Sequence, residues 1–267
     1  MTAIIAPAAI DVAAGIAGFG AVVAGVDLDR TADDAARWRA ALALHGVLVF
    51  PGQTIDDAGF VRFLTRLGPM VFTPGETPLP DHPMLNAVSN VGRATPPRSV
   101  FHTDSSYLGQ PPAYTALRAV TVPRSGGATL FSDQYAAADA LPSRCRATLV
   151  GRTARHRVTG LAGQDAACRQ PLLRRHPVSG RSALYLTTPE RCADIDGLTA
   201  AASARVIDLL YRRSIRPRAL YRHDWRAGDV VVWDDRCTMH RADHLGTVGD
   251  RVLHRGMVGG ETPIAGT

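Results

Sequence analysis

The sequence predicts a mainly β protein with flanking helices, a barrel or sandwich of short strands occupying one domain over residues 1–267. Two observations carry that expectation. Short segments rich in Val, Leu, Ala and Tyr recur with turn residues between them, as in AYTALRAV, ATLFSD, SALYLTT and DVVVWDD. The helix-like stretches do not alternate with these segments one by one, so the rhythm that a parallel α/β sheet requires is missing.

Taken in order, residues 30–45 contain TADDAARWRAALALH, with Thr31 and Asp33 near the start and apolar residues at helical spacing, the pattern of a capped amphipathic helix. GVLVF follows as a short buried strand. DDAGFVRFLTRL repeats the helical spacing over residues 55–67 and stops before Gly68-Pro69. Residues 71–98 include TPGETPLPDHP, too rigid and too poor in periodicity for regular structure, and a long ordered loop of this kind suits an active-site lid. Strands are then expected in AYTALRAV, in ATLFSD after the Gly126-Gly127 turn, in SALYLTT and in DVVVWDD. Helices are expected over residues 135–150 and 200–211, and residues 155–191 read as a loop-like insert.

The formal net charge of +6 invites a nucleic-acid reading, but all 30 basic side chains are arginines and they are scattered, in pairs at most, without an interleaved aromatic stripe. The sequence therefore predicts no nucleic-acid partner. The complete absence of lysine excludes a Schiff-base enzyme and a P-loop phosphate site, both of which depend on that amine. Cys145, Cys168, Cys192 and Cys237 form no C-x-x-C pair and read as plain thiols. No apolar run is long enough to cross a bilayer and the N-terminal segment lacks a basic n-region, so a soluble, cytoplasmic protein without a membrane partner is expected.

The chemistry concentrates in two places. In FHTDSSY, His102 and Asp104 stand at i and i+2, which in an extended segment places both on one side. Alone, that pair is equally a buried histidine beside an aspartate that caps the following turn. In VVVWDDRCTMHRADHLGTVGDRVLHRG, an apolar strand ends at Trp233 and His240 follows it. Joined to the first pair, His240 completes two histidines and one carboxylate, the facial set that holds non-haem Fe(II) and leaves three coordination positions open. Arg251 lies eleven residues beyond His240, and Arg255 four beyond Arg251, so on one strand both face the same interior. A planar guanidinium is the natural clamp for a carboxylate, which predicts one or two anion sites beside the metal. His244 makes an i, i+4 pair with His240, but it follows a strand and no H-E-x-x-H glutamate accompanies it, so it reads as a loop residue. His254 should point away from the site by strand alternation, and Cys237 should be packed. Tyr107, Asn86, Ser89 and Tyr185 could line a substrate pocket or only support one.

With these residues assembled, the chain resembles the taurine dioxygenase and 2,4-dichlorophenoxyacetate dioxygenase family of Fe(II)/2-oxoglutarate-dependent oxygenases. GFGAVVAGVDL, HGVLVFPGQ, the LGP turn, FHTDSSY, GGATLF, WDDRCTMHRAD and RVLHR carry the resemblance in order along nearly the whole chain. It implies a double-stranded β-helix, or jelly-roll, core. It implies Fe(II) on His102, Asp104 and His240, and 2-oxoglutarate held at its far carboxylate by Thr129 and Arg251. Arg255 corresponds to a second arginine near the co-substrate or near an anionic group of the prime substrate. Dioxygen and 2-oxoglutarate are consumed, succinate and CO2 are released, and an unactivated C–H bond is hydroxylated. The carboxylate retained at Asp104 implies hydroxylation rather than halogenation.

The expected substrate is a small organic anion: a carboxylate, aryloxyalkanoate, sulfonate or phosphonate. FHTDSSY and CTMHR resemble the phenoxyacetate branch more closely than the taurine branch. An amino-acid-like or neutral substrate of a tailoring oxygenase stands as the alternative, and a 2-oxoglutarate-binding module without turnover as a further one. A zinc hydrolase would leave the paired arginines without a role. A homo-oligomer is also expected.

Overall fold

The structure, a computed structural model, describes residues 10–12, 18–30, 35–73, 75–93, 99–159 and 166–267. The N-terminal part contributes β1 (Ile10–Val12), β2 (Ala21–Val23), α1 (Ala35–His45), β3 (Val47–Phe50), α2 (Asp57–Leu67), β4 (Met70–Val71) and β5 (Leu85–Ser89). β6 (Pro112–Thr121), β7 (Thr129–Asp133), α3 (Gln134–Asp139) and α4 (Ser143–Leu149) follow. β8 (Thr153–Arg157), β9 (Ala167–Pro171), β10 (Leu173–Arg175), β11 (Ser182–Leu184), β12 (Cys192–Ile195) and α5 (Ala200–Ser214) come next. β13 (Leu220–His223), β14 (Val230–Asp234), β15 (Thr238–Ala242), β16 (Val252–Gly259) and β17 (Ile264–Ala265) complete the chain. The molecule is mainly β with helices around it, as the sequence predicts.

A large sheet runs β1-β2-β3-β14-β6-β16-β4, with β5 also on β16, and a small sheet runs β13-β7-β15. The period-2 alternation of the large sheet gives it two buried faces. On one face, Leu48, Phe50, Val230 and Val232 pack under Trp38 and Leu42 of α1 and Phe60, Phe63 and Leu64 of α2. On the other, Val47, Val49, Leu117, Val231 and Leu253 meet Phe131 and Tyr221 of the small sheet together with Trp225. The two sheets therefore face each other across one apolar layer, and the outer side of the small sheet is covered by α5, whose Ile207 and Leu210 pack with Met239 and Leu130.

Several sequence expectations shift on contact with the structure. The second helix begins at Asp57, because Asp56 caps it, its Oδ1 accepting from the backbone N–H of Gly59 at 2.7 Å; such a cap is worth about 1 kcal/mol. The proposed caps of the first helix, Thr31 and Asp33, lie outside the described residues. Residues 71–98 are not free of regular structure: Leu85–Ser89 forms β5, drawn into the sheet by Val252–Gly256 of β16. Residues 155–191 likewise hold strands, and β8 pairs with both β9 and β12. The helical stretch expected over 135–150 is two helices, broken at Leu141-Pro142, since proline cannot continue an α-helix.

Candidate active site

The metal-ligand candidates are joined by backbone pairing. His102 donates its N–H to the His240 carbonyl at 3.0 Å and accepts the His240 N–H at 2.9 Å, an isolated antiparallel bridge on the flank of β15. Residues directly opposite in such a pair project to the same face, which brings the two imidazole centroids to 4.3 Å. Asp104, two residues on, reaches the same point. Its Oδ1 lies 3.4 Å from His102 Nε2 and its Oδ2 3.8 Å from His240 Nε2. Immediately after it, Ser105 takes φ 43°, the one non-glycine with positive φ among the described residues, within a turn. A strained backbone held at such a point is the usual companion of a built site.

The donor set fits a divalent ion. Bonds of about 2.1 Å at right angles separate neighbouring ligand atoms by about 3 Å, close to the spacings found. His102 Nδ1 donates to the Val100 carbonyl at 2.9 Å, leaving the Nε2 lone pair directed at the site. Asp104 Oδ2 is buried without a hydrogen-bond partner among the described residues. Burial pushes His240 down to about 3, so its imidazole is neutral and able to donate a lone pair at ordinary pH. Burial alone would raise the Asp104 carboxyl, but His240, His102 and Arg255 outweigh it and hold the group ionised, well below the usual carboxylate range.

A second cluster of suitable donor types, His176, Asp234 and Cys237, is fully buried, and its atoms are already used. His176 Nδ1 accepts from the backbone N–H groups of Val178 and Ser179, so Nε2 carries the proton and donates to Asp234 Oδ2 at 2.9 Å. Arg236 binds both Asp234 oxygens at 2.8 Å. This cluster is a hydrogen-bonded knot behind the site, in which Cys237 is packed as the sequence suggests.

On one side of the triad lies a cavity, open at its mouth and lined by His102, His240, Thr129, Arg251, Arg255 and Trp233 among others. The register of β7 on β15, His240 opposite Phe131 and Ala242 opposite Thr129, brings Thr129 to the cavity wall. Arg251 is only 2% exposed and has no carboxylate within ion-pair distance among the described residues. Its Nε donates to the Gly127 carbonyl at 2.8 Å and its Nη2 to Thr129 Oγ1 at 3.3 Å. Gly127 has φ 73°, and a Cβ there would come within 3.0 Å of Arg251 Cδ, so the glycine admits the arginine. Burial pushes Arg251 down to about 10, which leaves it cationic at neutral pH. Trp225, which the sequence reading missed, donates Nε1–H to Thr129 Oγ1 at 3.0 Å. With two donors already on Oγ1, the threonine's own proton is left to donate into the cavity.

Arg251 and Arg255 line this same cavity, as the four-residue spacing predicts, while His254 turns away and binds Asp57 at 2.7 Å. Arg255 is not a free cation. Its Nη2 lies 2.6 Å from Glu76 Oε2 and its Nε donates to Asn86 Oδ1 at 3.1 Å. Neither Glu76 nor its pairing was legible as a site feature, because nothing in the spacing of the proline-rich stretch marks it. His244 lies on a loop as expected, outside the metal-ligand cluster, yet it lines the cavity. Of the remaining pocket candidates, Ser89 lines this cavity, Tyr107 lines the one described below, and Tyr185 is buried and stacked on His156.

A second cavity lies on the other flank of the triad, sharing His102 and Arg255 with the first and adding Asp104, Glu76, Tyr107 and Arg191. No helix among the described residues is long and apolar enough to cross a membrane.

The geometry agrees with what the chain resembles. The sequence profile of the family described as Taurine catabolism dioxygenase TauD, TfdA family matches residues 11–257. The (S)-phenoxypropionate/alpha-ketoglutarate-dioxygenase of Delftia acidovorans is 31% identical, over 92% of this chain and 94% of that protein. The alpha-ketoglutarate-dependent 2,4-dichlorophenoxyacetate dioxygenase of Cupriavidus pinatubonensis is 30% identical, over 78% of this chain and 83% of that protein. The crystal structure of a taurine dioxygenase from Burkholderia xenovorans superposes with a TM-score of 0.84 at 31% identity, over 97% of this chain and 93% of that one. A match over so much of the chain, with a histidine–aspartate–histidine cluster at its centre, settles the family: the chain belongs to the TauD, TfdA family and is an alpha-ketoglutarate-dependent dioxygenase.

Proposed function

We propose that His102, Asp104 and His240 hold Fe(II), that Thr129 and Arg251 hold the far carboxylate of 2-oxoglutarate, and that the enzyme hydroxylates a small organic substrate at an unactivated C–H bond. The balanced reaction takes substrate R–H, 2-oxoglutarate and dioxygen to R–OH, succinate and CO2. The observation that carries this reading is Arg251, a buried cation that lacks a carboxylate among the described residues and opens on the cavity shared with His102 and His240. A desolvated charge without a partner costs several kcal/mol, and a bound carboxylate removes that cost. Iron with its co-substrate and dioxygen supplies the oxidising power when bound.

The chain's own residues do the rest. Arg251 and the Thr129 hydroxyl orient the co-substrate, with Trp225 fixing Thr129. Trp233, Val88 and Leu117 give the cavity apolar walls that exclude water. The facing sheets correspond to a double-stranded β-helix. Glu76, from the stretch 71–84, reaches Arg255 at the site, which supports a lid role for that part of residues 71–98. The substrate lies in the second cavity, beside Asp104 and Arg255. Relatives named for phenoxypropionate and 2,4-dichlorophenoxyacetate, both anions, support a small organic anion.

The test is substrate-stimulated succinate formation that requires both Fe(II) and 2-oxoglutarate, with a product one oxygen atom heavier than the substrate. Succinate formation unaffected by withholding iron would overturn the assignment.

A further inference from the structure

The two histidines of the triad are held in different ways. His102 donates its Nδ1–H to the Val100 carbonyl at 2.9 Å, the usual device that fixes a ligating imidazole. His240 Nδ1 is buried with no hydrogen-bond partner among the described residues. Its ring is set by packing instead: the His102 imidazole lies 4.3 Å away between centroids, the Trp233 indole 4.5 Å and the Phe131 ring 6.3 Å. A ligand oriented in this way is placed only as well as the neighbours that confine it.

Of those neighbours, Trp233 is clamped in turn. It stands directly opposite Thr115 of β6 in the antiparallel ladder, so the two side chains share a face, and Asp235 follows two residues on. Trp233 Nε1 donates to Asp235 Oδ1 at 3.1 Å, and Thr115 Oγ1 donates to Asp235 Oδ2 at 2.6 Å. The Asp235 N–H binds the Ala113 carbonyl at 2.9 Å, which ties the carboxyl group to the edge of the same ladder. Thr115, Trp233 and Asp235 are all fully buried. A carboxyl group in such a place is costly unless each oxygen is satisfied, and here both are, one of them by the indole that lies against His240.

We propose that Asp235 is a positioning residue of the metal site: through Trp233 it sets the orientation of the His240 imidazole, and so the direction of the lone pair that His240 offers the metal. This rests on the reading of His240 as an iron ligand and adds to it the group that aims that ligand.

The experiment uses the full chain under nitrogen with Co(II) as the probe ion, and reads its dissociation constant and visible d–d bands, neither of which needs turnover. Asp235→Ala is expected to weaken Co(II) binding about tenfold, the lower end of what partners of metal ligands contribute, and to shift the bands. Asp235→Asn, whose amide oxygen still accepts from the indole and whose amide nitrogen donates to Thr115, should stay within about twofold of the unaltered protein. Trp233→Phe cuts the same bond and should weaken binding about as much as Asp235→Ala; adding Asp235→Ala to it should cost less than about twofold more, since both changes break one coupling. Melting of the apoprotein separates lost stability from a change at the site, and Trp233→Phe carries the reading where Asp235→Ala fails to fold. Unchanged Co(II) affinity and bands in the folded variant overturn the proposal. So does a loss that persists in full on the Trp233→Phe background, or one equally large in Asp235→Asn, which would trace it to the charge of Asp235 and not to the indole. Co(II) bound at full affinity by His240→Ala overturns the ligand assignment beneath it instead.

Discussion

Arg251 and Thr129 meet at 3.3 Å between Nη2 and Oγ1, inside the apolar layer between two sheets. They come from strand regions more than a hundred residues apart in sequence, and the hydroxyl they share is also bonded by Trp225. The arrangement is polar machinery set in a place where unpaired polarity is costly, and the carboxylate proposed to bind there would complete it.

Removing the guanidinium should therefore weaken the co-substrate first. Arg251→Ala is expected to raise KM for 2-oxoglutarate by about 10- to 100-fold, since each charge-assisted hydrogen bond contributes roughly 1.5–3 kcal/mol. Steady-state titration of 2-oxoglutarate checks this, and an unchanged KM would mean that the carboxylate lies elsewhere.

On the proposed reading, Trp225 acts on the co-substrate carboxylate at one remove, through Thr129. Trp225→Phe keeps a ring in the core but loses the Nε1–H bond to Thr129, so the hydroxyl is free to rotate. A loss of about 1 kcal/mol is expected, read as a roughly fivefold rise in KM for 2-oxoglutarate with metal affinity unchanged. A fall in metal affinity instead would show that Trp225 supports the triad and not the threonine.

How much of this was visible in the sequence follows from the kind of contact involved. His102 and Asp104 are two residues apart on one extended segment, and the spacing from Arg251 to Arg255 survives because both lie on one stretch entering β16. Local periodicity encodes such relations directly. Trp225 and Glu76 act through partners 96 and 179 positions away, Thr129 and Arg255, and a tryptophan in a loop or a glutamate between prolines has no local signature of its role. The expectation of irregular structure over residues 71–98 failed at Leu85–Ser89 for a related reason. The ladder with β16 supplies the order, and the proline-rich flank hides a strand that tertiary pairing creates.

The knot behind the site should not bind metal. Apoprotein titrated with Co(II) is expected to take up one equivalent per chain, and Cys237→Ala should leave that stoichiometry intact, because His176 and Asp234 are already saturated by hydrogen bonds. Two equivalents, with one lost in Cys237→Ala, would assign the cluster a metal.

His156 gives the fold a built-in acid sensitivity. It is fully buried, stacked on Tyr185, without a partner for either ring nitrogen among the described residues, and burial pushes it down to about 3. The unfolded chain takes up a proton near pH 6.5, whereas the native state cannot until about pH 3, so stability is lost as pH falls through that window, at about 1.4 kcal/mol per pH unit. His156→Phe keeps the stack and removes the proton site. Urea unfolding of both proteins between pH 7 and pH 5 should show a shallower decline in the variant, and parallel declines would show that His156 is solvated or partnered.

The central claim is that His102, Asp104 and His240 together hold the iron that 2-oxoglutarate chelates. The most direct measurement is the weak visible charge-transfer band of the Fe(II)–keto-acid chelate, recorded under nitrogen for the unaltered enzyme and for His102→Ala, Asp104→Ala and His240→Ala. The band should be present in the first and absent in the other three. A full-strength band in all three variants would contradict the account.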